Sequence, residues 1–240
     1  MKAITKWMLV FLVLPVFAAA QEKVVVNDKN AQVREVGSFS EISVSGSIDL
    51  YLSPDDHEVV VVSAKEEQYR DKIVTRVVGN KLEIYFNNKG FSMRSDMRLK
   101  AYVSFRQLNR ISASGSSDVY VNGIVKSDKL EIHINGSSDF SGAVDVNSLK
   151  LHQSGSSDTK LSGRAGVVDV DLSGASDMKG FDLNTDICNA VASGSSDVSV
   201  TVMKELYVKA SGASDVKYKG TGTVREVKTS GASSVKLVRD

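Results

Sequence analysis

Cysteine and tryptophan are almost missing from this chain of 240 residues, and so is any excess of one charge. The single cysteine, Cys188, rules out an intrachain disulfide, so the fold must be held by packing alone. No cysteine stands just after the N-terminal apolar run, which excludes an acylated N-terminal cysteine. The single tryptophan, Trp7, lies in that run, so the rest of the chain has no indole platform on which a sugar ring could stack. Thirty basic residues face 29 acidic ones, a balance that implies neither a nucleic-acid partner nor an anionic membrane. Nucleophile-elbow, P-loop and zinc-protease motifs are absent.

What is present begins with an export signal. The stretch MKAITKWMLVFLVLPVFAAA places Lys2 and Lys6 before an apolar run from Trp7 to Phe17 and ends in the small residues Ala18 and Ala20. That order is the layout of a cleavable secretory signal over residues 1–20, with cleavage between Ala20 and Gln21. The run is shorter than the roughly 20 apolar residues a membrane span needs, and no other segment is apolar enough to cross a bilayer. Removal of the signal leaves 28 basic against 29 acidic residues. An exported protein, periplasmic or at the cell surface, is expected. The 42% hydrophobic and 25% charged composition is that of a globular chain.

The rest is dominated by one phrase. SGSSD at 114–118 returns in near-copies at 135–139, 154–158, 173–177, 193–197 and 211–215, and decays to SGASS at 230–234. Its glycines, Gly115, Gly136, Gly155, Gly174, Gly194, Gly212 and Gly231, are spaced by 21, 19, 19, 20, 18 and 19 residues. Seven units at a near-constant period indicate a stacked repeat. Before each glycine the residues alternate, as in LEIHIN, LKLHQS, VDVDLS and LYVKAS, which is the period of a strand. One face carries Leu130, Ile132 and Ile134, then Leu149, Leu151 and Gln153, then Val168, Val170 and Leu172, then Leu206, Val208 and Ala210; this is the expected core. A shorter second strand follows each aspartate, as in DVYVNG and DTKLSG. Such a unit is too short for a four-stranded propeller blade and has no helical period. It suits one coil of an all-β parallel β-helix, right-handed by the crossover rule. An antiparallel sandwich also offers short, evenly spaced strands, but does not call for the same turn seven times.

Residues 21–110 form a less regular β portion, ahead of regular repeats over 111–240. Strands are expected at 42–52, 58–63, 81–86 and 99–105, with turns at SPDD, VGN and NNKG and one helical turn in AKEEQYRDK. SGSID at 45–49 reads as a degenerate first copy of the phrase, so this portion extends and caps the same stack. At the other end Lys236 and Arg239 are placed to blunt the terminal edge.

An exported chain with FSEISVSGSIDLYL in its first half and iterated SG[SA]SD in its second resembles the bacterial family described as putative auto-transporter adhesin, head GIN domain, over nearly the whole of its length. The resemblance implies a β-helical exported protein with an adhesin-like role. It supplies no catalytic residue to carry over. No series of ten-residue lipid-facing strands occurs, so a translocating barrel is not expected within this chain.

Three sets of residues are candidates for chemistry. In-register stacking puts Asp118, Asp139, Asp158, Asp177, Asp197 and Asp215 about 5 Å apart, where neighbouring carboxylates repel by roughly 1 kcal/mol in water and several at an effective dielectric of 20. Either bound calcium offsets this, or each carboxylate accepts hydrogen bonds in its own corner. The serine before each aspartate position, Ser117, Ser138, Ser157, Ser176, Ser196, Ser214 and Ser233, occurs in all seven copies and favours corner geometry over a unique site. Second, His133, His152 and Asp171 form an outward ladder able to bind a transition metal, with Glu131 or Asp169 in reach, although a flat sheet makes tetrahedral closure awkward. Third, Arg110, Glu131, Lys150, Asp169, Asn189, Tyr207 and Glu226 share one column, and its first four signs alternate. Cys188 falls at an inward position and reads as core rather than nucleophile. No cofactor is expected apart from the calcium alternative.

These features describe a non-enzymatic interaction module with a protein or glycan partner, self-association being open. The rival is a polysaccharide-binding or polysaccharide-degrading β-helix, which needs a groove with unevenly clustered acids and aromatics. The exported chain is expected to begin at Gln21; its intact mass, or N-terminal sequencing of the extracytoplasmic fraction, checks this.

Overall fold

The computed structural model describes residues 28–90 and 95–239, so the expected signal over residues 1–20 and its cleavage junction lie outside the described residues. In chain order the elements are β1 (Gln32–Arg34), β2 (Glu41–Ser45), β3 (Ile48–Pro54), β4 (Val59–Ser63), α1 (Glu67–Arg70), β5 (Ile73–Val78), β6 (Lys81–Phe86) and β7 (Leu99–Phe105). They continue as β8 (Arg110–Ser114), β9 (Val119–Gly136), β10 (Phe140–Gly155), β11 (Asp158–Leu172), β12 (Asp177–Ala192), β13 (Asp197–Ala210), β14 (Asp215–Lys219), β15 (Thr223–Thr229) and β16 (Ser234–Leu237).

Alternating apolar residues and a glycine corner every 19 residues or so produce a parallel β-solenoid of about 7 turns. Each coil pairs in parallel with the next, as in Leu149↔Val168, Leu151↔Val170 and Gln153↔Leu172 between β10 and β11. The parallel register rules out the antiparallel sandwich for the repeats. One sequence expectation needs correction here. From β9 to β13 the two short strands expected per coil are one long bent strand, because pairing with the neighbouring coil runs on through the second glycine, as at Val144↔Gly163.

The expected core faces inward throughout: Leu130, Ile132, Ile134, Leu149, Leu151, Val168, Val170, Leu172, Leu206, Val208 and Ala210 are all buried, and so is the polar Gln153. Full burial of such a side chain stabilises by about 1.5–3 kcal/mol. A second inward run follows each aspartate, for example Thr159 and Leu161, so the core is closed from several sides by every coil.

The glycine of the phrase is required twice over. Gly174 has φ +82, and a Cβ there would stand 2.5 Å from the carbonyl oxygen of Gly155 in the coil before. Its column partners Gly194 and Gly231 are in the same position relative to the glycine before them.

At the N-terminal end the stack closes on itself by backtracking. The expected strand 42–52 is broken at Gly46 and Ser47, whose φ values of 84 and 61 make SGSID a true corner, and Gly46 lies against Gly115. β2 and β3 pair in parallel with β8 and β9 on one side, and with β6 and β7 on the other. The coil made by residues 81–105 therefore sits beneath the coil made by 41–54, although it comes later in the chain. β5 then pairs antiparallel with β6, and β4 antiparallel with β7, with β1 outermost on β4. Antiparallel strands end the parallel ladder and protect its edge. β1 and β5 were not expected from the sequence; the first is only three residues long, and the second, IVTRVV, alternates imperfectly. At the other end β15 and β16 form the last coil, with Val227 and Leu237 exposed and Lys236 on the edge strand.

Gly174→Ala is expected to cost about 3 kcal/mol or more, from the left-handed backbone and the overlap with Gly155. Gly79→Ala, at φ +66 with nothing within 4 Å of its Cβ, should cost only about 1 kcal/mol. Urea denaturation of both variants measures the difference.

Candidate functional site

Each corner is a hydrogen-bonded unit. The six serines Ser117, Ser138, Ser157, Ser176, Ser196 and Ser214 are buried. Ser176, Ser196, Ser214 and Ser233 donate their hydroxyls to the carbonyl three residues back, at 2.9, 2.7, 3.0 and 3.0 Å. The serine hydroxyl also accepts from the coil before, as where Ser117 N–H donates to Ser138 Oγ at 3.0 Å and Ile48 N–H to Ser117 Oγ at 3.1 Å. A buried hydroxyl bonded in both directions is a structural part of the turn.

The aspartates use the same logic on the outside. Asp139 N–H donates to Asp118 Oδ1 at 3.0 Å and Asp158 N–H to Asp139 Oδ1 at 2.9 Å. Asp197 N–H bonds Asp177 Oδ1 at 3.3 Å, Asp215 N–H bonds Asp197 Oδ1 at 3.2 Å, and the Ser234 hydroxyl bonds Asp215 Oδ1 at 2.6 Å. The second oxygen of two of them faces a lysine of the next coil: Lys179, two residues past Asp177, reaches Asp158 at 2.5 Å, and Lys217, two past Asp215, reaches Asp197 at 3.1 Å. Those carboxylates raise the pKa of each lysine, Asp158 most for Lys179 and Asp197 most for Lys217. Backbone amides and lysines thus supply positive charge beside the column from within the chain.

The column carrying those lysines is the least uniform on the molecule. Register pairs connect Val33, Val61, Tyr102, Tyr51, Tyr120, Ser141, Lys160, Lys179, Ser199, Lys217 and Lys236 in a single outward row. Its first part is apolar and aromatic, and its last part is basic. The Tyr51 ring stacks on Tyr102 at 5.0 Å and on Tyr120 at 5.3 Å. Tyr102 donates its hydroxyl to Asp28 at 2.7 Å, and Tyr120 donates to Asp118 at 3.3 Å. Partial burial, with Asp118 next, pushes the Tyr120 phenol up to about 12. The sequence reading missed this ladder because Tyr102 lies outside the repeat phrase. A signal was present in Tyr51 and Tyr120, each two residues after an aspartate, where later coils have lysine or serine.

His133, His152 and Asp171 do align, as the pairs His152↔His133 and His152↔Asp171 show. The two imidazoles stack face to face at 4.9 Å, so their nitrogens do not converge. His133 Nε2 turns 3.5 Å from Glu131, and His152 Nδ1 lies 3.7 Å from Asp171. Among the described residues no group of three His, Cys, Asp or Glu side chains could hold a metal ion.

The alternating column extends further than expected. Glu41 pairs with Lys81 and with Arg110, so six successive members, Lys81, Glu41, Arg110, Glu131, Lys150 and Asp169, alternate in sign. Arg110 binds Glu131 at 2.5 Å, and Asn189 donates to Asp169 at 2.7 Å. Cys188 is buried, and burial with the nearby Asp169 charge pushes its thiol up to about 12, far from a reactive thiolate.

A family model described as putative auto-transporter adhesin, head GIN domain, matches residues 38–222. Among solved structures the chain is similar to a putative adhesin from Bacteroides fragilis NCTC 9343, at 20% identity and TM-score 0.78, covering 87% of this chain and 96% of that one. It is similar also to a putative adhesin from Parabacteroides merdae ATCC 43184, at 18% identity and TM-score 0.70, covering 87% and 95%. A putative lipid binding protein from Parabacteroides distasonis ATCC 8503 is similar at 22% identity and TM-score 0.67, covering 87% and 96%. At these identities the likeness is one of fold. No curated protein matches the chain.

The two ends of the aspartate series should respond oppositely to pH. Burial, then the Asp118 charge, raises Asp49 above its ordinary 3.8, so its contribution is full below that value and is lost as pH rises through the raised pKa. The Ser234 hydroxyl holds Asp215 below 3.8, so its contribution is present above that value and is lost as pH falls through the lowered pKa. At pH 7 Asp49→Asn should raise Tm by a few degrees and Asp215→Asn lower it slightly. Thermal melts repeated at pH 3 should show the two variants converging.

Proposed function

We propose, from the premise that the chain belongs to the putative auto-transporter adhesin, head GIN domain family, that it is an exported, non-enzymatic interaction module of the bacterial cell envelope. The observation that carries this reading is the outward row from Val33 to Lys236, which crosses every coil without a break and changes from apolar and aromatic to basic along its length. A rigid, graded row of this kind suits an extended macromolecular partner, protein or glycan, held by many weak contacts. Adhesin descriptions of the similar solved structures support the same reading. No helix among the described residues is long and apolar enough to cross a membrane.

Catalysis fits the geometry less well. A polysaccharide-cleaving β-helix needs acids set apart from their neighbours in a walled groove. Here four aspartates of the column each bind the next coil's backbone N–H, so the corners repeat one arrangement and no single aspartate is set apart. Corners without calcium are favoured by Lys179 and Lys217, which pair with Asp158 and Asp197.

The test is adhesion of the full exported chain, immobilised on beads, to fixed bacterial and host cells and to protein and glycan arrays, in calcium and in chelator. Retention should be the same in both buffers and fall at least tenfold when Lys160, Lys179 and Lys217 are all changed to Glu. Release of reducing sugar from envelope polysaccharide, or retention on no surface, would overturn the reading.

A further inference from the structure

The tyrosine ladder ends at a missing rung. Tyr102 is covered on its outer side by Val61, its register partner on β4. Tyr120 has Tyr51 on one side, but its partner in the next coil is Ser141, too short to cover a phenol ring. Because the rings stack along the column, the free face of Tyr120 points at the space above Ser141, and the residue is 40% exposed. The next long side chain in the row is Lys160, one coil further on. Two strand spacings, about 9.6 Å, therefore separate the Tyr120 and Lys160 rungs. The tyrosines themselves show that one rung accommodates one ring, since they repeat at 5.0 and 5.3 Å.

The slot is closed at both ends along the strand. At one end stand Asp118 and Asp139, two residues before Tyr120 and Ser141. Asp139 uses Oδ1 to accept from Asp158 N–H, which leaves Oδ2 for a ligand hydroxyl. At the other end β9 bulges: register passes from Tyr120↔Ser141 to Ile124↔Ala143, so Val121, Asn122 and Gly123 stand opposite Gly142 alone. Gly142 is needed beneath this bulge, since a Cβ there would lie 2.9 Å from Val121, and a Cβ on Gly123 would lie 3.1 Å from Pro54. This is the coil whose glycine spacing is 21, the longest in the repeat. Its irregularity and the missing rung coincide.

We propose that this slot, floored by Ser141 and walled by Tyr120 and Lys160, is a subsite for one neutral pyranose ring of a glycan. The inference rests on the interaction-module reading and names the ligand class for one part of the same row. A pyranose presents C–H faces to the Tyr120 ring and hydroxyls around its rim. Those hydroxyls find acceptors in Asp118 and Asp139, a donor in Lys160, and both roles in Ser141. A planar cation such as an arginine side chain would also stack on tyrosine, but it would meet the Lys160 ammonium on the other wall. A neutral ring meets no such repulsion.

The experiment titrates the full exported chain with neutral hexose oligosaccharides, cellohexaose, mannohexaose and β-1,4-galactohexaose, by isothermal calorimetry. Tyr120→Ala removes the stacking wall, and Ser141→Tyr fills the rung with the protein's own ring while continuing the ladder. Each should weaken binding of the preferred oligosaccharide at least tenfold, whereas Lys204→Gln, exposed and outside the row, should leave it unchanged. Circular dichroism of each variant confirms the fold. Binding unaltered by both substitutions, or displaced by a short arginine peptide, overturns the subsite. Adhesion to cells without affinity for any of the oligosaccharides overturns it too but leaves the interaction module standing, and loss of adhesion altogether sinks the broader reading.

Discussion

Parallel, in-register stacking of one coil on the next is the interaction on which everything else in this molecule rests. A parallel ladder joins each backbone amide to the carbonyl of the next coil and so repeats every inward and outward position at the strand spacing. Residues 19 or so apart in sequence become nearest neighbours, as Phe140 and Thr159 are. Identical residues then face identical residues, which is favourable for an aliphatic core and unfavourable for charge. Much of the outer chemistry can be understood as a solution to that conflict.

Two solutions are visible. In the column through Lys81, Glu41, Arg110, Glu131, Lys150 and Asp169, opposite charges alternate, so neighbouring side chains attract. In the aspartate column like charges are kept: Asp118, Asp139, Asp177 and Asp197 each accept an amide of the next coil, and Asp158 and Asp197 pair with lysines of that coil. Individually, such exposed pairs contribute little. Asp49 shows what happens where tyrosine stands in the place of lysine: its pKa is raised by burial and by Asp118. The aromatic segment is thus less well compensated than the basic segment, and it is where the surface departs most from uniformity.

Capping follows from the same constraint. A parallel stack exposes unpaired amides and carbonyls at each end. The chain deals with this at the N-terminal end by folding residues 81–105 beneath residues 41–54 and finishing with antiparallel β4, β5 and β1. Antiparallel pairing breaks the translational repeat, so the pattern stops. The price is a chain order that no longer matches spatial order.

The sequence alone determined the coil, because the period of the glycines and the alternation before them each have a single physical reading once combined. It also determined the corner, since a serine present in every copy serves a turn that every coil needs, and the inward set from Leu130 to Ala210 with its buried Gln153 and Cys188. What it left open were relations between residues with no common phrase. The placement of β6 and β7 beneath β2 and β3 depends on pairing partners far apart in the chain, and local pattern carries no information on which edge a strand will choose. For the same reason the stacking of Tyr102 on Tyr51 was hidden: Tyr51 and Tyr120 share a place after an aspartate, but Tyr102 lies in an unrelated stretch and joins them only when backtracking brings its strand beside β3. The repeat fixed what is uniform here, and tertiary pairing decided where uniformity fails.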